Sequence, residues 1–184
     1  MKIFFHIFLL TIVTIANGQN PLVKQWDKRF GGIDDEIILK TIQTSDGGFL
    51  LGGGSISGAS GDKTQPSWGN SDGWIIKIDS MGSKQWDRRY GGTMYDWLEP
   101  GQQTRDGGYI LGGVSNSGIS GDKSQPTWGN TGDIWIVKTN SAGVKQWDKR
   151  FGSIGNEDYC CLQQTNDGGY IICLLKTTVI FVTY

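Results

Sequence analysis

Histidine is almost missing from this chain of 184 residues, and its position decides which chemistry remains available. The single histidine is His6, in an apolar run near the amino terminus that we expect to be removed from the mature protein. A mature chain without histidine cannot form a Ser-His-Asp or Cys-His nucleophile, or a zinc site that needs imidazole. Carboxylate, tyrosine and calcium chemistry stay open.

The chain also lacks an excess of charge of either sign. Its 17 Lys and Arg residues are balanced by 18 Asp and Glu residues, which gives a formal net charge of -1. This balance argues against a general attraction to nucleic acid or to an anionic membrane. Lys24, Lys28 and Arg29 surround Trp26, but Asp27 lies among them, so we interpret this cluster as a solvated, salt-paired strand face. No nucleic-acid partner is expected.

Cysteine is scarce and confined to the end of the chain, at Cys160, Cys161 and Cys173. An odd count leaves one thiol free in any intramolecular scheme. A hairpin that turns at Asp167-Gly168 brings Cys161 near Cys173 in some registers and not in others. The earlier part of the chain needs no cysteine, so we interpret such a bond as incidental to the fold.

Long hydrophobic runs are absent except at the amino terminus. Met1-Lys2 is followed by an apolar run from Ile3 to Ile15 and by the small-residue segment Ala16-Asn17-Gly18. This is the layout of a secretory signal peptide, and the run is too short to span a membrane. We therefore predict a signal peptide at residues 1–18 and no integral membrane segment after its cleavage. The protein is expected in the periplasm, at the cell surface or outside the cell; the alternative is a buried amino-terminal strand.

Glycine, in contrast, is abundant, with 29 residues, and much of it belongs to a repeat. Lys24-Gln25-Trp26-Asp27 recurs from Lys84 and again from Lys145, at intervals of 60 and 61 residues. Asp46-Gly47-Gly48 recurs at the same intervals, from Asp106 and from Asp167. Such a period indicates a repeat architecture. We divide the β-repeat region, residues 19–184, into units 24–83, 84–144 and 145–184, the last of them truncated.

Each unit has the pattern of four short strands joined by tight turns, and no helical period is present. The first set of four strands is predicted at Glu36–Thr44, Phe49–Ser57, Trp74–Asp79 and Lys84–Tyr90. Four antiparallel strands in about 60 residues are typical of a β-propeller blade, so the predicted fold is all-β and propeller-like. Two full blades with flanking strands are fewer than the four to eight blades of a closed propeller, so we expect a fragment of a longer protein.

The motifs Lys-Gln-Trp-Asp-Lys-Arg-Phe-Gly-Gly and Ser-Gly-Asp-Lys-Thr/Ser-Gln-Pro, with the Asp-Gly-Gly turn, carry a resemblance to a known group. Over residues 24–172 the chain resembles the secreted proteins of Bacteroidota with repeats of about 60 residues, propeller-like modules usually followed by a type IX secretion sorting domain. The resemblance implies fold and export more than activity. The sorting domain is not found in this sequence, which argues against type IX export and surface attachment. From the signal peptide we still expect Sec-dependent passage to the periplasm.

The long segment Ser57–Gly73, repeated as Ser117–Asp133, is the candidate binding region because it exceeds an ordinary strand connection. One hypothesis makes its tryptophan a stacking platform for a sugar, or a contact for an extracellular protein, with Asp and Asn side chains as hydrogen-bond partners. The candidate residues are Trp68, Asp62 and Asn70 in the first copy and Trp128, Asp122 and Asn130 in the second. The alternative is that each tryptophan folds back and seals its own blade, since buried aromatics contribute strongly to stability. Recurrence in both units favours this structural interpretation.

Enzyme and metal functions have weaker support in the sequence. Asn70–Gly73 and Gly32–Glu36 carry oxygen ligands for calcium, but neither has EF-hand spacing, and no other cofactor is indicated. Thr44–Gly48 partly resembles the Asp-box of sialidase-type propellers, which is a structural hairpin. A glycosidase commonly needs two carboxylates in unequal environments, and no motif singles out an acid such as Glu99. We expect a non-enzymatic binding module; a glycan-acting enzyme and a truncated product without independent function are the alternatives.

Overall fold

The computed structural model describes residues 24–129, 131–157, 159–174 and 179–182, and within these ranges it contains strands and no α-helix. The predicted signal peptide lies outside the described residues. The strands are β1 (Glu36–Gln43), β2 (Phe49–Ser55), β3 (Asp72–Ile78), β4 (Lys84–Tyr90), β5 (Asp96–Gln103), β6 (Tyr109–Ser115), β7 (Asp133–Thr139), β8 (Lys145–Phe151), β9 (Tyr159–Gln164), β10 (Tyr170–Leu174) and β11 (Val179–Val182). Among the described residues there is no helix long and apolar enough to cross a membrane.

The strands form three antiparallel sheets in which each strand pairs with its neighbour in the chain. The first sheet has the order β1-β2-β3-β4, the second β5-β6-β7-β8, and the third β9-β10-β11. The all-β prediction is therefore confirmed. The third predicted strand begins earlier than expected, at Asp72, because Asp72 continues the ladder opposite Ser55.

The hairpin turns have the geometry that their sequences predict. Gly47 adopts a positive φ of 79°. The Asp46 carboxylate accepts a hydrogen bond from the Gly48 amide at 3.0 Å and one from the Thr44 hydroxyl at 2.5 Å. These bonds replace ladder partners inside the turn. The same turn recurs at Asp106, where the carboxylate accepts bonds from Thr104 and Gly108.

The glycine run of β2 lets neighbouring backbones approach closely. A Cβ atom at Gly53 would lie 1.9 Å from the carbonyl oxygen of Ile37. The register of β1 against β2 shifts between Ile38 and Lys40, next to this contact. A bulge and a close backbone approach therefore occur together at this glycine run.

The hydrophobic core lies between successive sheets. Leu50 and Ile75 of the first sheet pack with Leu98, Leu111 and Trp135 of the second. Strand β3 is buried on both faces. Its other face carries Trp74, Ile76 and Ile78, and the chain segment with Trp26 and Phe30 packs against it. Each sheet therefore packs as one layer against the sheet or segment next to it in the chain.

One aromatic contact recurs at each step along this row. Trp26 meets Phe49 with ring centroids 6.3 Å apart, Trp86 meets Tyr109 at 5.9 Å, and Trp147 meets Tyr170 at 5.8 Å. In each pair the tryptophan of a Lys-Gln-Trp-Asp motif contacts the aromatic residue that follows an Asp-Gly-Gly turn. The repeated motifs are therefore the residues that join one layer to the next.

The third sheet contains a disulfide bond between Cys161 and Cys173, whose Cα atoms are 4.9 Å apart. The two residues lie opposite each other in the ladder of β9 and β10. The hairpin turn at Asp167-Gly168 therefore produces the register that brings these cysteines together, as one of the sequence alternatives required.

Candidate functional site

The long connections of the first two sheets are fixed at their base by a buried lysine. Lys63 is almost fully buried, and its ammonium donates to the carbonyl oxygen of Ser57 at 2.5 Å and to the Ser67 hydroxyl at 2.9 Å. Burial lowers the pKa of Lys63, and the charges of Asp72 and Glu36 oppose this shift. The repeat of this arrangement at Lys123 and Ser117 indicates a structural tether.

Asp62 and Asp122, both candidate binding residues, attach each long connection to the segment that precedes its sheet. The Asp62 carboxylate accepts a bond from the Gly31 amide at 3.1 Å, and the Asp62 amide donates to the Gly31 carbonyl. Asp122 makes the same pair of bonds with Gly91, with a carboxylate distance of 3.3 Å. Both carboxylates therefore already accept hydrogen bonds that stabilise the fold.

Trp68 and Trp128 remain half-exposed, at 54% and 51%. The guanidinium carbon of Arg89 lies 4.4 Å from the ring centroid of Trp68, and Arg150 lies at the same distance from Trp128. A cation over an indole face is attracted by the ring quadrupole. We call Trp68, Arg89, Trp128 and Arg150 the tryptophan rim.

Bonds from the backbone hold the rim in place. The amide of Trp68 donates to the Asp72 carboxylate at 2.6 Å, and that of Trp128 donates to Asp133 at 2.7 Å. Both acids begin the third strand of their sheet, so the rim is anchored to the most deeply buried strand. The tryptophans therefore neither cover the end of their sheet completely nor project freely into solvent.

The candidate partners of Trp68 come from a different unit than the sequence suggested. Trp68 lies against Gly121, where a Cβ atom would be 2.9 Å from its Cδ1. Arg89 forms an ion pair with Asp122 at 3.5 Å. Trp68, Arg89 and Asp122 thus meet where one unit passes to the next. Asn70 is exposed and its amide bonds to the Met94 carbonyl at 3.2 Å, while Asn130 lies outside the described residues.

In each calcium candidate one carboxylate already accepts hydrogen bonds within the protein, Glu36 in Gly32–Glu36 and Asp72 in Asn70–Gly73. Glu36 accepts bonds from the Ser55 hydroxyl at 3.0 Å and the Gly32 amide at 2.9 Å. Burial raises the pKa of Asp72, which makes this carboxyl a poorer cation ligand. Within the described ranges, no group of three or more His, Cys, Asp or Glu residues is placed to hold a metal ion.

Glu99, the acid that the sequence could not assign, lies on β5 and faces β1. Its carboxylate is 3.9 Å from the Lys40 ammonium. Burial raises the pKa of Glu99, and the charge of Lys40 opposes the shift. A raised carboxyl pKa is compatible with acid catalysis but also with an ordinary ion pair between sheets.

A cleft between the first and second sheets was missed by the sequence analysis. Its volume is about 210 Å³. Its aromatic side is formed by Tyr95 and Trp97, which are 48% and 46% exposed. The complete lining is Asp35, Glu36, Ile37, Gly54, Ser55, Ile56, Ser71, Tyr95 and Trp97. We call it the β1–β5 cleft.

The aromatic residues of this cleft do not repeat. Tyr95 corresponds to Asp35 in the unit before and to Asn156 in the unit after, and Trp97 corresponds to Ile37 and to Asp158. An alignment of the three units with one another would have found this departure, because the aromatic pair interrupts an otherwise regular pattern.

Gly54 makes room for Trp97. A Cβ atom at Gly54 would lie 2.6 Å from Cδ1 and 3.0 Å from Nε1 of Trp97, so any larger residue would displace the indole. The corresponding position in the second sheet is Val114. The Tyr95 backbone is fixed by bonds on both sides of it, from the Asp96 amide to the Ser71 carbonyl at 2.8 Å and from the Asn116 amide to the Tyr95 carbonyl at 2.9 Å.

Comparison with known proteins adds no functional information. No family model matches the chain, and no curated protein is significantly similar to it. The tryptophan rim and the β1–β5 cleft are therefore the two features of this structure that indicate a binding function.

Proposed function

We propose that the protein is an exported, non-catalytic binding module built from propeller-like β-repeats, and that it recognises an extracellular glycan through the tryptophan rim. The observation that carries this proposal is the half-exposure of Trp68 and Trp128, each at the same end of its sheet. A tryptophan needed only for the core would be buried, as Trp74 and Trp135 are.

The propeller-like architecture is supported by the way in which successive sheets pack. Strand β5 opens the second sheet and contacts β1, β2 and β3 of the first. Strand β9 opens the third sheet and contacts β5 and β6 of the second. Blades of a propeller also stack face to face with the first strand of each blade innermost. The resemblance of the repeats to secreted Bacteroidota modules supports the same architecture and an exported protein.

A glycan suits the rim because the rim combines apolar rings with fixed polar groups. The indole of Trp68 is half-exposed, and the partly exposed Asp122 carboxylate lies near it through its ion pair with Arg89. Sites for small ligands combine aromatic walls with a few placed polar groups in this way. The second copy at Trp128 and Arg150 would allow one chain to hold two sugar units, which strengthens weak individual contacts.

A glycan array with the full chain tests the proposal. The double variant Trp68→Ala/Trp128→Ala should lose about tenfold or more of the affinity for any glycan that the wild type binds, because an exposed aromatic anchor is removed at each copy. Met81→Ala is the matched control, since Met81 is exposed on a turn at the opposite end of the first sheet.

Thermal unfolding of each variant separates lost binding from lost folding. The proposal is contradicted if the wild-type chain binds no glycan. It is also contradicted if the double variant folds and binds the glycan as tightly as the wild type does.

A further inference from the structure

The segment Lys24–Phe30 has the sequence of a strand but is not part of a sheet. It is identical in all seven residues to Lys145–Phe151, which is β8, the fourth strand of the second sheet. Among the described residues Lys24–Phe30 has no ladder partner, although Trp26 packs on the first sheet as Trp86 packs on the second. Its backbone is therefore available for pairing with a further strand.

The aspartate of this segment is exposed, whereas its counterparts are buried. The Asp27 side chain is 80% exposed, compared with 2% for Asp87 and for Asp148. Each buried carboxylate accepts a hydrogen bond at 3.0 Å from the indole nitrogen of a third-strand tryptophan, Trp74 or Trp135. Asp27 has the same sequence context, so it is placed to accept a bond from the corresponding tryptophan of another unit.

The first unit also carries an unfilled copy of the surface against which Trp68 lies. Gly61 and Gly121 have the same φ of 55°. A Cβ atom at Gly121 would lie 2.9 Å from Cδ1 of Trp68, whereas the three atoms nearest to a Cβ at Gly61 belong to Gly31 and Gly32. A cavity of about 710 Å³ opens at Gly61, which is a usual size for a binding site. Within the described part of the chain, the first unit therefore has the floor of an indole site without the indole.

The charged groups that surround Trp68 are also repeated at this cavity. The Arg89 guanidinium lies over the Trp68 ring and forms an ion pair with Asp122. Their counterparts one period earlier are Arg29 and Asp62, and both line the cavity. A guanidinium attracts an indole face through the ring quadrupole, so Arg29 favours an indole as the occupant. We use the name amino-terminal cradle for Arg29, Gly31, Gly61 and Asp62.

The backbone beside the cradle matches the rest of a tryptophan-bearing connection. In the second unit Tyr95 forms a parallel bridge with Ser71, and the Asp96 amide donates to the Ser71 carbonyl at 2.8 Å. The counterparts of Tyr95 and Asp96 are Asp35 and Glu36, which line the same cavity. A Trp-Gly-Asn-Ser segment that enters the cavity can therefore add the same backbone bond.

We propose that the amino-terminal cradle binds the tryptophan-bearing connection of a further repeat unit on another polypeptide chain, and that Lys24–Phe30 completes the sheet of that unit as its fourth strand. The partner's indole lies on Gly61 and under the Arg29 guanidinium. The proposal is independent of the glycan function, because neither Trp68 nor Trp128 contributes to the cradle.

A second copy of this chain is a poorer partner, because both of its described tryptophan connections are engaged. Trp68 lies against Gly121. The connection that carries Trp128 is held by Thr131, whose hydroxyl donates to the Gly155 carbonyl at 2.8 Å. A second copy would have to break one of these contacts before its tryptophan could reach the cradle.

Arg29→Ala is the variant that tests the cradle, because Arg29 is exposed and its loss should not prevent folding. Lys28→Ala is the matched control. It removes the same charge from the neighbouring residue, whose side chain lies at Gly82 and does not line the cavity. Equal thermal midpoints of the two variants and the wild type would show that the fold is kept.

The probe is the capped peptide Gln-Pro-Ser-Trp-Gly-Asn-Ser, which has the sequence of residues 65–71. An NMR titration of the full chain should show saturable binding, with shifted amide signals at Gly31 and Gly61. We expect the affinity to fall about tenfold in Arg29→Ala and to stay unchanged in Lys28→Ala. A peptide with leucine in place of tryptophan should bind about tenfold more weakly, because leucine has no ring to attract the guanidinium.

The proposal is overturned if the peptide does not bind saturably, if the folded Arg29→Ala variant binds it as tightly as the wild type, or if the shifted signals lie away from the cradle. Sedimentation of the chain alone tests the second copy as a partner, and we expect a monomer. A dimer that is lost in Arg29→Ala would overturn the assignment to another kind of chain, since a second copy would then supply the indole.

Discussion

The two junctions between sheets share their packing but differ where the first strands meet. At the first junction, between the first and second sheets, Trp86 contacts Tyr109; at the second junction, between the second and third sheets, Trp147 contacts Tyr170. A backbone bond also recurs, from Asp96 to Ser71 at 2.8 Å and from Glu157 to Gly132 at 3.0 Å. Trp97 packs over Gly54 at the first junction, whereas the second sheet carries Val114 at the position of Gly54.

This difference distinguishes contacts that the stacking of sheets requires from contacts that it only tolerates. Contacts present at both junctions, such as the tryptophan–tyrosine pair, are needed wherever one layer joins the next. The pair of Trp97 and Gly54 is not needed for stacking, because the second sheet carries a valine there and still packs. Residues that depart from the repeat are therefore the best candidates for a specific function.

The largest expected effect concerns a buried tryptophan of the repeat. Trp74→Ala should lower the free energy of unfolding by about 3–5 kcal/mol, through the cavity it creates and the bond it removes from the buried Asp87 carboxylate, at 3.0 Å. Denaturant unfolding measures this change. Trp97→Ile is the comparison and should cost no more than about 1 kcal/mol, because Trp97 is half-exposed. Similar costs for the two variants would remove the distinction between required and permitted residues.

A smaller effect is expected from the disulfide of the third sheet. Cys161→Ser/Cys173→Ser should destabilise this sheet by about 2–4 kcal/mol, since the bond closes a short loop in the unfolded chain. Amide hydrogen exchange should show faster exchange in β9 and β10, while β2 and β3 keep their protection. Equal loss of protection in the first sheet would mean that the layers unfold as one unit.

Low pH should lower the stability of the first and second sheets, because a hairpin turn in each depends on an ionised aspartate. Bonds from Thr44 and Lys77 lower the pKa of Asp46 to about 2, and bonds from Lys138 and Thr104 lower that of Asp106 to about 2. These depressed values stabilise the fold above the unfolded pKa, and the stabilisation is lost as the pH falls from about 4 to about 2.

Asp46→Asn/Asp106→Asn should therefore flatten the fall of the thermal midpoint over this pH range. We expect each carboxylate to contribute about 1 kcal/mol, since half-exposure allows solvent to screen its charge. Asp27→Asn is the control, because its ion pair with Lys24 is exposed. An unchanged pH profile in the double variant would contradict this account.

The smallest effect tests a contact found at the second junction alone. Arg105 donates to the Asn166 carbonyl at 2.6 Å and to its side chain at 3.0 Å, whereas the first unit has Ser45 at this position. Arg105→Ser should cost about 0.5 kcal/mol, because both partners are exposed. Hydrogen exchange at the turn of the third sheet should detect it; a loss above about 2 kcal/mol would mean that the second junction depends on this arginine.

Much of the fold could be predicted because the determinants of strands and turns are local. The Asp46-Gly47 turn, the strand Lys84–Tyr90 and the cysteine hairpin follow from residues close together in the chain. The partners of the candidate site could not be predicted in this way. Trp68 lies against Gly121, and Trp97 lies against Gly54, in each case across a sheet boundary. A repeat period does not specify how one layer faces the next.

The sequence by itself determined the repeat, the all-β class and the long connections that carry Trp68 and Trp128, since each depends on spacing along the chain. The tertiary structure alone decided that these tryptophans stay half-exposed under Arg89 and Arg150, and that the β1–β5 cleft exists. Both follow from the packing of one sheet on the next. Exposure and cleft shape depend on which distant atoms exclude water from a side chain, and that is a property of the assembled layers.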